Sequence, residues 1–349
     1  MRVGVDATPL LGVRTGIGRY TGSLLAALAS GPDELVATAF TLRGRLAPLP
    51  GIEVRQRPAP ARALQAAWAR GQWPPVELLT GRLDVFHATN FVLPPLRRAR
   101  GVVTVHDLAF LRMTETVSAA SARYRALVPR SIRRASVVLT PSEAVAEQVR
   151  QAYAPAVPVV AVPHGVDPAW AAAIPPDAGM RARLGLPAEY VVFVGTLEPR
   201  KDVATLLSAH ALLPDAPPLV LVGPPGWGAR VDVDGCVTPG FLNDEDLGPV
   251  VAGASALVLP SRDEGFGLPV LEALAAGTPV VCSDLPVLRE VGGSHAVYAP
   301  AGDVEAFAAA LADVLADPVD PAAGRAYAAE FTWARCAKRH RDAYTLALS

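Results

Sequence analysis

Hydrophobic positions along this chain fall into short runs separated by longer Ala- and Leu-rich stretches with helical spacing. Runs at Val3–Val5, Val36–Leu42, Val85–His87, Val102–His106, Val137–Thr140 and Val159–Pro163 predict strands, and a helix follows the first near Arg19–Ser30. The alternation then restarts with Tyr190–Gly195, a helix over Val203–Leu213, Leu219–Gly223, Ala256–Pro260, a helix over Pro269–Ala276, and Val280–Ser283. Val/Ile-rich runs separated by helices belong to parallel strands covered on both faces. The predicted fold class is therefore α/β, with two doubly wound Rossmann-like units over residues 1–163 and 164–330. They join near Pro163-His164-Gly165-Val166-Asp167-Pro168. An amphipathic helix over 331–349 follows, and it packs on the second unit or crosses back to the first. Ligands of such sheets bind beyond the carboxyl ends of the strands, so the expected active site is the cleft between the two units.

Composition narrows the class. With 349 residues, 51% hydrophobic and 19% charged, the chain can bury a large core. Cys236, Cys282 and Cys336 are odd in number and far apart, and read as small buried thiols in a reducing compartment. The start, Met1-Arg-Val-Gly-Val-Asp6, lacks the apolar core of a signal peptide. The uncharged run between Arg150 and Asp167 is 16 residues long and broken by three prolines, too short and too interrupted to span a bilayer. A cytoplasmic location is expected.

The net charge of −1 argues against nucleic acid, but it is a cancellation. Residues 1–163 hold 20 Arg and no Lys against 10 acids, a net +10, and residues 164–349 hold 12 basic residues against 23 acids, a net −11. In the basic half, Ser121–Arg134 concentrates five arginines with interleaved Tyr124, Leu127, Val128 and Ile132. Two readings fit: a membrane-surface helix, or a solvated basic face packed by its apolar side.

Chemistry is densest in Pro260-Ser-Arg-Asp-Glu264-Gly-Phe-Gly-Leu-Pro269-Val-Leu-Glu272-Ala-Leu-Ala-Ala-Gly277-Thr-Pro279. A strand ends, a Gly265-Phe266-Gly267-Leu268 turn leads into a helix opened by Pro269, and Gly277 with Pro279 closes it. The helix start offers free backbone N–H groups to an anion. Glu264 and Glu272 would repel a phosphate, so the ligands that suit them are diols of a sugar or ribose. Taken singly, Glu264 also reads as a charge favourable to the helix dipole and Glu272 as a solvated helix residue.

This string resembles the retaining glycosyltransferases of family 4, which have the two-domain GT-B fold. Further segments match in the same order. In Val194-Gly195-Thr-Leu-Glu-Pro199-Arg200-Lys201-Asp, a glycine ends a strand and two cations precede a helix, an arrangement suited to a diphosphate. Lys201 is one of only two lysines in the chain. By the resemblance, Arg200 and Lys201 neutralise the leaving nucleoside diphosphate. The loop Arg14-Thr15-Gly16-Ile17-Gly18-Arg19-Tyr20 lies against the donor or the acceptor, and His106 in Thr104-Val-His-Asp107 lies near the donor sugar. Glu264 would hold that sugar's hydroxyls and Glu272 the ribose. His87 and Asp107 are candidates for acceptor contact, and Asn243 for the nucleobase. His164 stands where the family usually has Asn, a change expected to affect only the turn.

The resemblance implies an enzyme, a hexosyltransferase that needs no cofactor and no metal. Its partners would be a nucleotide-sugar donor and a glycan or lipid-linked acceptor of polysaccharide assembly. The two Asp-x-Asp sequences, Asp232–Asp234 and Asp244–Asp246, do not follow a strand as a metal-binding motif of that kind requires. The Gly-Ile-Gly-Arg-Tyr and Val-His-Asp-Leu-Ala-Phe-Leu combination is most similar to bacterial mannosyltransferases, which implies GDP-mannose. A UDP-hexose donor and a silent sugar-nucleotide-binding subunit are the alternatives. A nicotinamide-dependent enzyme would place an acid about 20 residues beyond the glycine loop, where Thr41-Leu-Arg43 stands instead. If the acceptor is lipid-linked, the basic half is expected to associate peripherally with anionic membrane.

Overall fold

The computed structural model describes residues 1–12, 16–113, 123–227, 232–317 and 320–349. The chain divides into two compact units, Met1–Gly165 with Thr332–Ser349, and Val166–Phe331. In the first unit, seven parallel strands lie in the order β3-β2-β1-β4-β5-β6-β7. They are β1 (Arg2–Asp6), β2 (Glu34–Thr38), β3 (Glu53–Val54), β4 (Val85–Ala88), β5 (Arg100–Thr104), β6 (Val137–Thr140) and β7 (Val159–Ala161). In the second unit, six parallel strands lie in the order β10-β9-β8-β11-β12-β13. These are β8 (Val191–Val194), β9 (Leu219–Val222), β10 (Val237–Gly240), β11 (Ala256–Leu259), β12 (Val280–Ser283) and β13 (Val297–Ala299).

The central strands are apolar on both faces because helices cover both. One face of the first sheet packs under helix α1 (Gly16–Ala29), where Tyr20, Leu24, Leu25 and Leu28 join Val3 and Val5 in one core. The other face lies under α2 (Tyr124–Arg134), which buries Leu127, Val128 and Ile132. The apolar side of this basic helix is thus consumed by the core. Of the two readings of the arginine-rich segment, the packed one describes Tyr124–Arg134; Ser121 and Ala122 lie outside the described residues.

The terminal helix α3 (Trp333–Leu348) packs on the first unit. Thr332 caps it by accepting the Arg335 N–H, and Cys336, Ala337, His340, Ala343, Tyr344 and Ala347 form one buried stripe. A Cβ on Gly165 would sit 2.3 Å from the Trp333 nitrogen, so where the chain leaves this unit and re-enters it only glycine fits. The return also shifts the charge tally. Arg335, Lys338, Arg339 and Arg341 against Asp342 bring the first unit to 24 basic and 11 acidic residues, +13, leaving the second at 8 and 22, −14.

All three cysteines are free; Cys282 and Cys336 are buried, whereas Cys236 is half-buried. No helix among the described residues is long and apolar enough to cross a membrane.

Candidate active site

In the second unit the chain leaves β8 toward β9 and β10, then passes back to enter the sheet at β11, on the other side of β8. The loops after β8 and β11 therefore part at their carboxyl ends, the place where a doubly wound sheet holds a ligand. After β8, the turn Pro199–Lys201 presents the two cations; after β11 come Ser261, Asp263 and Glu264. Lys201 Nζ donates to Glu264 Oε1 at 2.5 Å, and Ser261 Oγ donates to the same oxygen at 2.8 Å. Arg200 Nη1 stands 3.6 Å from Glu264 Oε2. Glu198 Oε1 accepts from Arg200 Nε at 3.0 Å and from Nη2 at 2.8 Å, fixing the plane of the guanidinium.

Lys201, Glu198 and Glu264 are all buried. Burial opposes the charge on Glu264, but Lys201 and Arg200, with the hydrogen bonds from Lys201 and Ser261, outweigh it and hold the carboxyl below its ordinary range. The result is a pre-assembled cation pair whose counter-ion is a protein carboxylate, chemically suited to an oxyanion richer in charge than that carboxylate.

The helix Leu268–Ala276 rises from the same loop. Its N-cap, Gly267, has φ of 94°, and a Cβ there would lie 2.6 Å from Leu288 Cδ2, so both backbone and space require glycine. Glu272 is 3% exposed in a helix otherwise made of Leu, Pro, Val and Ala. The structure therefore removes the solvated-helix reading of Glu272. A buried carboxylate is costly to desolvate.

The first unit repeats the topological device, with the chain leaving β1 toward β2 and returning to β4. Asp6 ends β1, Thr89 and Asn90 follow β4, and His106 and Asp107 follow β5. His106 Nε2 donates to the Thr89 carbonyl at 2.7 Å; a carbonyl only accepts, so Nε2 carries the proton. Burial lowers the His106 pKa and favours the neutral ring. Tyr20 meets it edge-on at 5.1 Å.

Residues 14–170 match the family described as Glycosyltransferase Family 4, and residues 188–317 match Glycosyl transferases group 1. O-antigen chain mannosyltransferase B of Escherichia coli is 30% identical over 384 residues, covering 99% of this chain and 100% of that protein. The chain belongs to glycosyltransferase family 4. Its fold is the GT-B fold. Sucrose-phosphate synthase of Thermosynechococcus elongatus superposes with a TM-score of 0.77 at 21% identity, covering 99% of this chain and 98% of that one. Anabaena HepE, solved in complex with UDP-glucose, gives 0.72 at 18% identity and covers 99% of each chain.

In this glycosyltransferase several candidate residues have other employment. His87 has no exposed surface: Nε2 is 2.8 Å from Thr104 Oγ1 and Nδ1 is 2.9 Å from the Tyr344 hydroxyl. It ties the sheet to the terminal helix and cannot touch an acceptor. Asn243 Oδ1 accepts the Asp246 N–H at 2.9 Å, capping the helix Asp244–Ala252, so its side chain is a helix cap. Asp107 Oδ1 accepts the Ala109 N–H and shapes the turn that follows. His164 does more than alter a turn, since its buried ring lies 4.5 Å from Tyr20 and stacks on Trp333 at 6.1 Å.

Gly16 is exposed at the start of α1, with open space where a Cβ would stand; Gly18 is buried two residues on, while Arg14 and Thr15 lie outside the described residues. Gly195 follows β8, and the Gly265-Phe266 pair leads to Gly267 and Leu268. Asp234 N–H turns back on Asp232, and Asp246 pairs with Arg183 at 2.7 Å. Among the described residues, no group of three or more His, Cys, Asp and Glu side chains is placed to hold a metal ion.

The motifs did not point to Tyr20, His340 and Tyr344 as partners of the histidines. Tyr20 hydroxyl lies 2.9 Å from His340 Nε2 and 3.2 Å from Thr104 Oγ1. Four of the six histidines, His87, His106, His164 and His340, gather in this one unit, a grouping that separations of up to hundreds of residues conceal.

Proposed function

We propose that this glycosyltransferase moves a hexose, with retention of configuration, from a nucleotide sugar to a hydroxyl of a glycan or lipid-linked acceptor, and that the donor is GDP-mannose. The observation that carries the donor-side chemistry is the pair of half-buried Arg200 and buried Lys201 held by Glu264. A diphosphate would compete with the carboxylates for these cations and receive the charge stabilisation that leaving-group departure demands. The N–H groups following Gly265 would add to it. Glu272 would accept from the ribose hydroxyls, and Glu264, released from the cations, would accept from those of the donor sugar.

In the proposed step the bond between the anomeric carbon and the diphosphate oxygen breaks, with its electron pair leaving on that oxygen. The acceptor oxygen bonds to the same face, and its proton passes to the departing phosphate. His106, near the reacting sugar, presents an unprotonated Nδ1 that can accept from a hydroxyl.

The full-length likeness to an O-antigen chain mannosyltransferase supports mannose and polysaccharide assembly. Thermal stabilisation by GDP against UDP tests the donor base, since a ligand at 100 times its Kd adds about 2.7 kcal/mol. GDP is expected to raise the unfolding temperature; stabilisation by UDP alone would replace the mannose assignment with a UDP-hexose. The +13 first unit supports association with anionic membrane by charge alone, because the apolar side of α2 is buried. Anionic vesicles should sediment the protein at low ionic strength and release it in salt, and failure to sediment it would remove this part of the proposal.

A further inference from the structure

Two residues at the first unit's switch point, Asp6 and Asn90, each have an acceptor oxygen that the described residues do not use, the one on Asn90 being buried. Asp6 is 7% exposed. Its Oδ1 accepts the Thr8 N–H at 2.9 Å and the Thr8 hydroxyl at 2.5 Å, whereas Oδ2 accepts no hydrogen bond among the described residues. Asn90 is half-buried, and its buried Oδ1 has no hydrogen-bond partner among the described residues. The two strand ends adjoin, since Thr89, next to Asn90, donates its hydroxyl to the Asp6 carbonyl at 2.6 Å.

The backbone beside this group is strained. Phe91, next to Asn90, has φ of 59°, an uncommon conformation for a bulky residue. Its ring lies 4.6 Å from Tyr124 and 5.6 Å from His106, edge-on to the latter. Strain of this kind persists where the surroundings over-determine it, and it concentrates at ligand sites. A strained aromatic wedge therefore lies against both Tyr124, on α2, and His106, beyond β5.

Both unused atoms are acceptors, so their complement is a ligand that brings donors. A phosphate or carboxylate would meet the charges of Asp6 and Asp107, whereas a pair of sugar hydroxyls would donate to both oxygens and restore solvation lost on burial. Burial raises the Asp6 pKa to about 6 against the two hydrogen bonds from Thr8.

We propose that Asp6 and Asn90 bind hydroxyls of the acceptor sugar and help determine which glycan end is glycosylated. The proposal rests on the glycosyltransferase function and adds to it the residues that recognise the acceptor.

Saturation-transfer NMR with methyl α-mannoside, α-glucoside and α-galactoside, and with the monodeoxy forms of whichever binds, tests it on the full-length protein. At least one hexoside should bind the parent, and one deoxy position should weaken binding by about tenfold. Asp6→Asn or Asn90→Ala should weaken the parent hexoside similarly and abolish the penalty at one deoxy position, a coupling that a merely structural role would not produce. Far-UV circular dichroism melts and thermal stabilisation by GDP or UDP establish on each variant that the fold and the donor side are intact. Should one substitution unfold the protein, the other carries the comparison. Absence of hexoside binding to the parent, parent-like binding by a folded variant, or an unchanged set of deoxy penalties would overturn the proposal. Failure of the donor assignment shows separately, as absence of stabilisation by either nucleotide.

Discussion

Lys201 Nζ and Glu264 Oε1 lie 2.5 Å apart across 63 residues of sequence, and both side chains are buried. Two residues that sequence motifs assign to different parts of a donor form one ion pair in the fold. The pair gives the buried lysine a counter-ion, which on the proposed reading a diphosphate would replace. Removing Lys201 takes the nearest counter-charge from the buried Glu264 and leaves it Arg200 at 3.6 Å. Lys201→Met should destabilise the second unit by about 3–5 kcal/mol, and Lys201→Met with Glu264→Gln should recover at least half of that loss. Denaturant midpoints of the two single variants, the double variant and the parent give the coupling; strictly additive effects would deny it.

The buried histidines set a different expectation for acid. Burial lowers the His340 pKa from 6.5 to about 4, so the folded form resists a proton that the unfolded chain takes up. Stability should therefore fall as pH drops from about 6.5 toward 4, by up to about 1.4 kcal/mol per pH unit for each such histidine. His87, His106 and His164 shift in the same direction. His340→Gln should flatten this slope by about one proton's worth. Urea midpoints between pH 7 and pH 4.5 measure it, and an unchanged slope would remove His340 from the account.

His87 separates structural from acceptor roles. Its two hydrogen bonds reach Thr104 on the sheet and Tyr344 on the terminal helix. His87→Leu should cost about 1–3 kcal/mol in stability, leaving the acceptor KM unchanged at a temperature where the variant is folded. A selective rise in acceptor KM would return His87 to the site.

The fold was legible where physics acts locally. Central strands declared themselves as apolar runs, and the helix over Leu268–Ala276 was marked at both ends by glycine and proline. Edge strands other than β7 were not: β3 is two exposed residues, and β10 contains Pro239, which a sheet tolerates at its edge and which breaks the expected strand pattern. The β2 run was expected to reach Leu42 but ends at Thr38, because apolar character continues into the loop beyond the sheet.

Site chemistry was legible in the same uneven way. Arg200, Lys201, Glu264 and Glu272 stand in two compact motifs, so their residue types and spacing were informative. The Lys201–Glu264 contact, the burial of His87 and the capping role of Asn243 depend on what lies opposite each side chain, which linear spacing does not encode. Asp6 left one trace, a charged residue ending an apolar strand, but only the topology shows that this strand end lies at a switch point.

The central claim is that Arg200 and Lys201 stabilise the departing nucleoside diphosphate. Its most direct test is release of GDP from GDP-mannose, in the presence of acceptor, by the parent and by Lys201→Ala under saturating donor. A loss of turnover of roughly a hundredfold or more is predicted, the scale of one electrostatic donor to a developing charge. A folded Lys201→Ala protein whose turnover falls by less than about threefold would contradict the account, since that change corresponds to well under 1 kcal/mol of barrier.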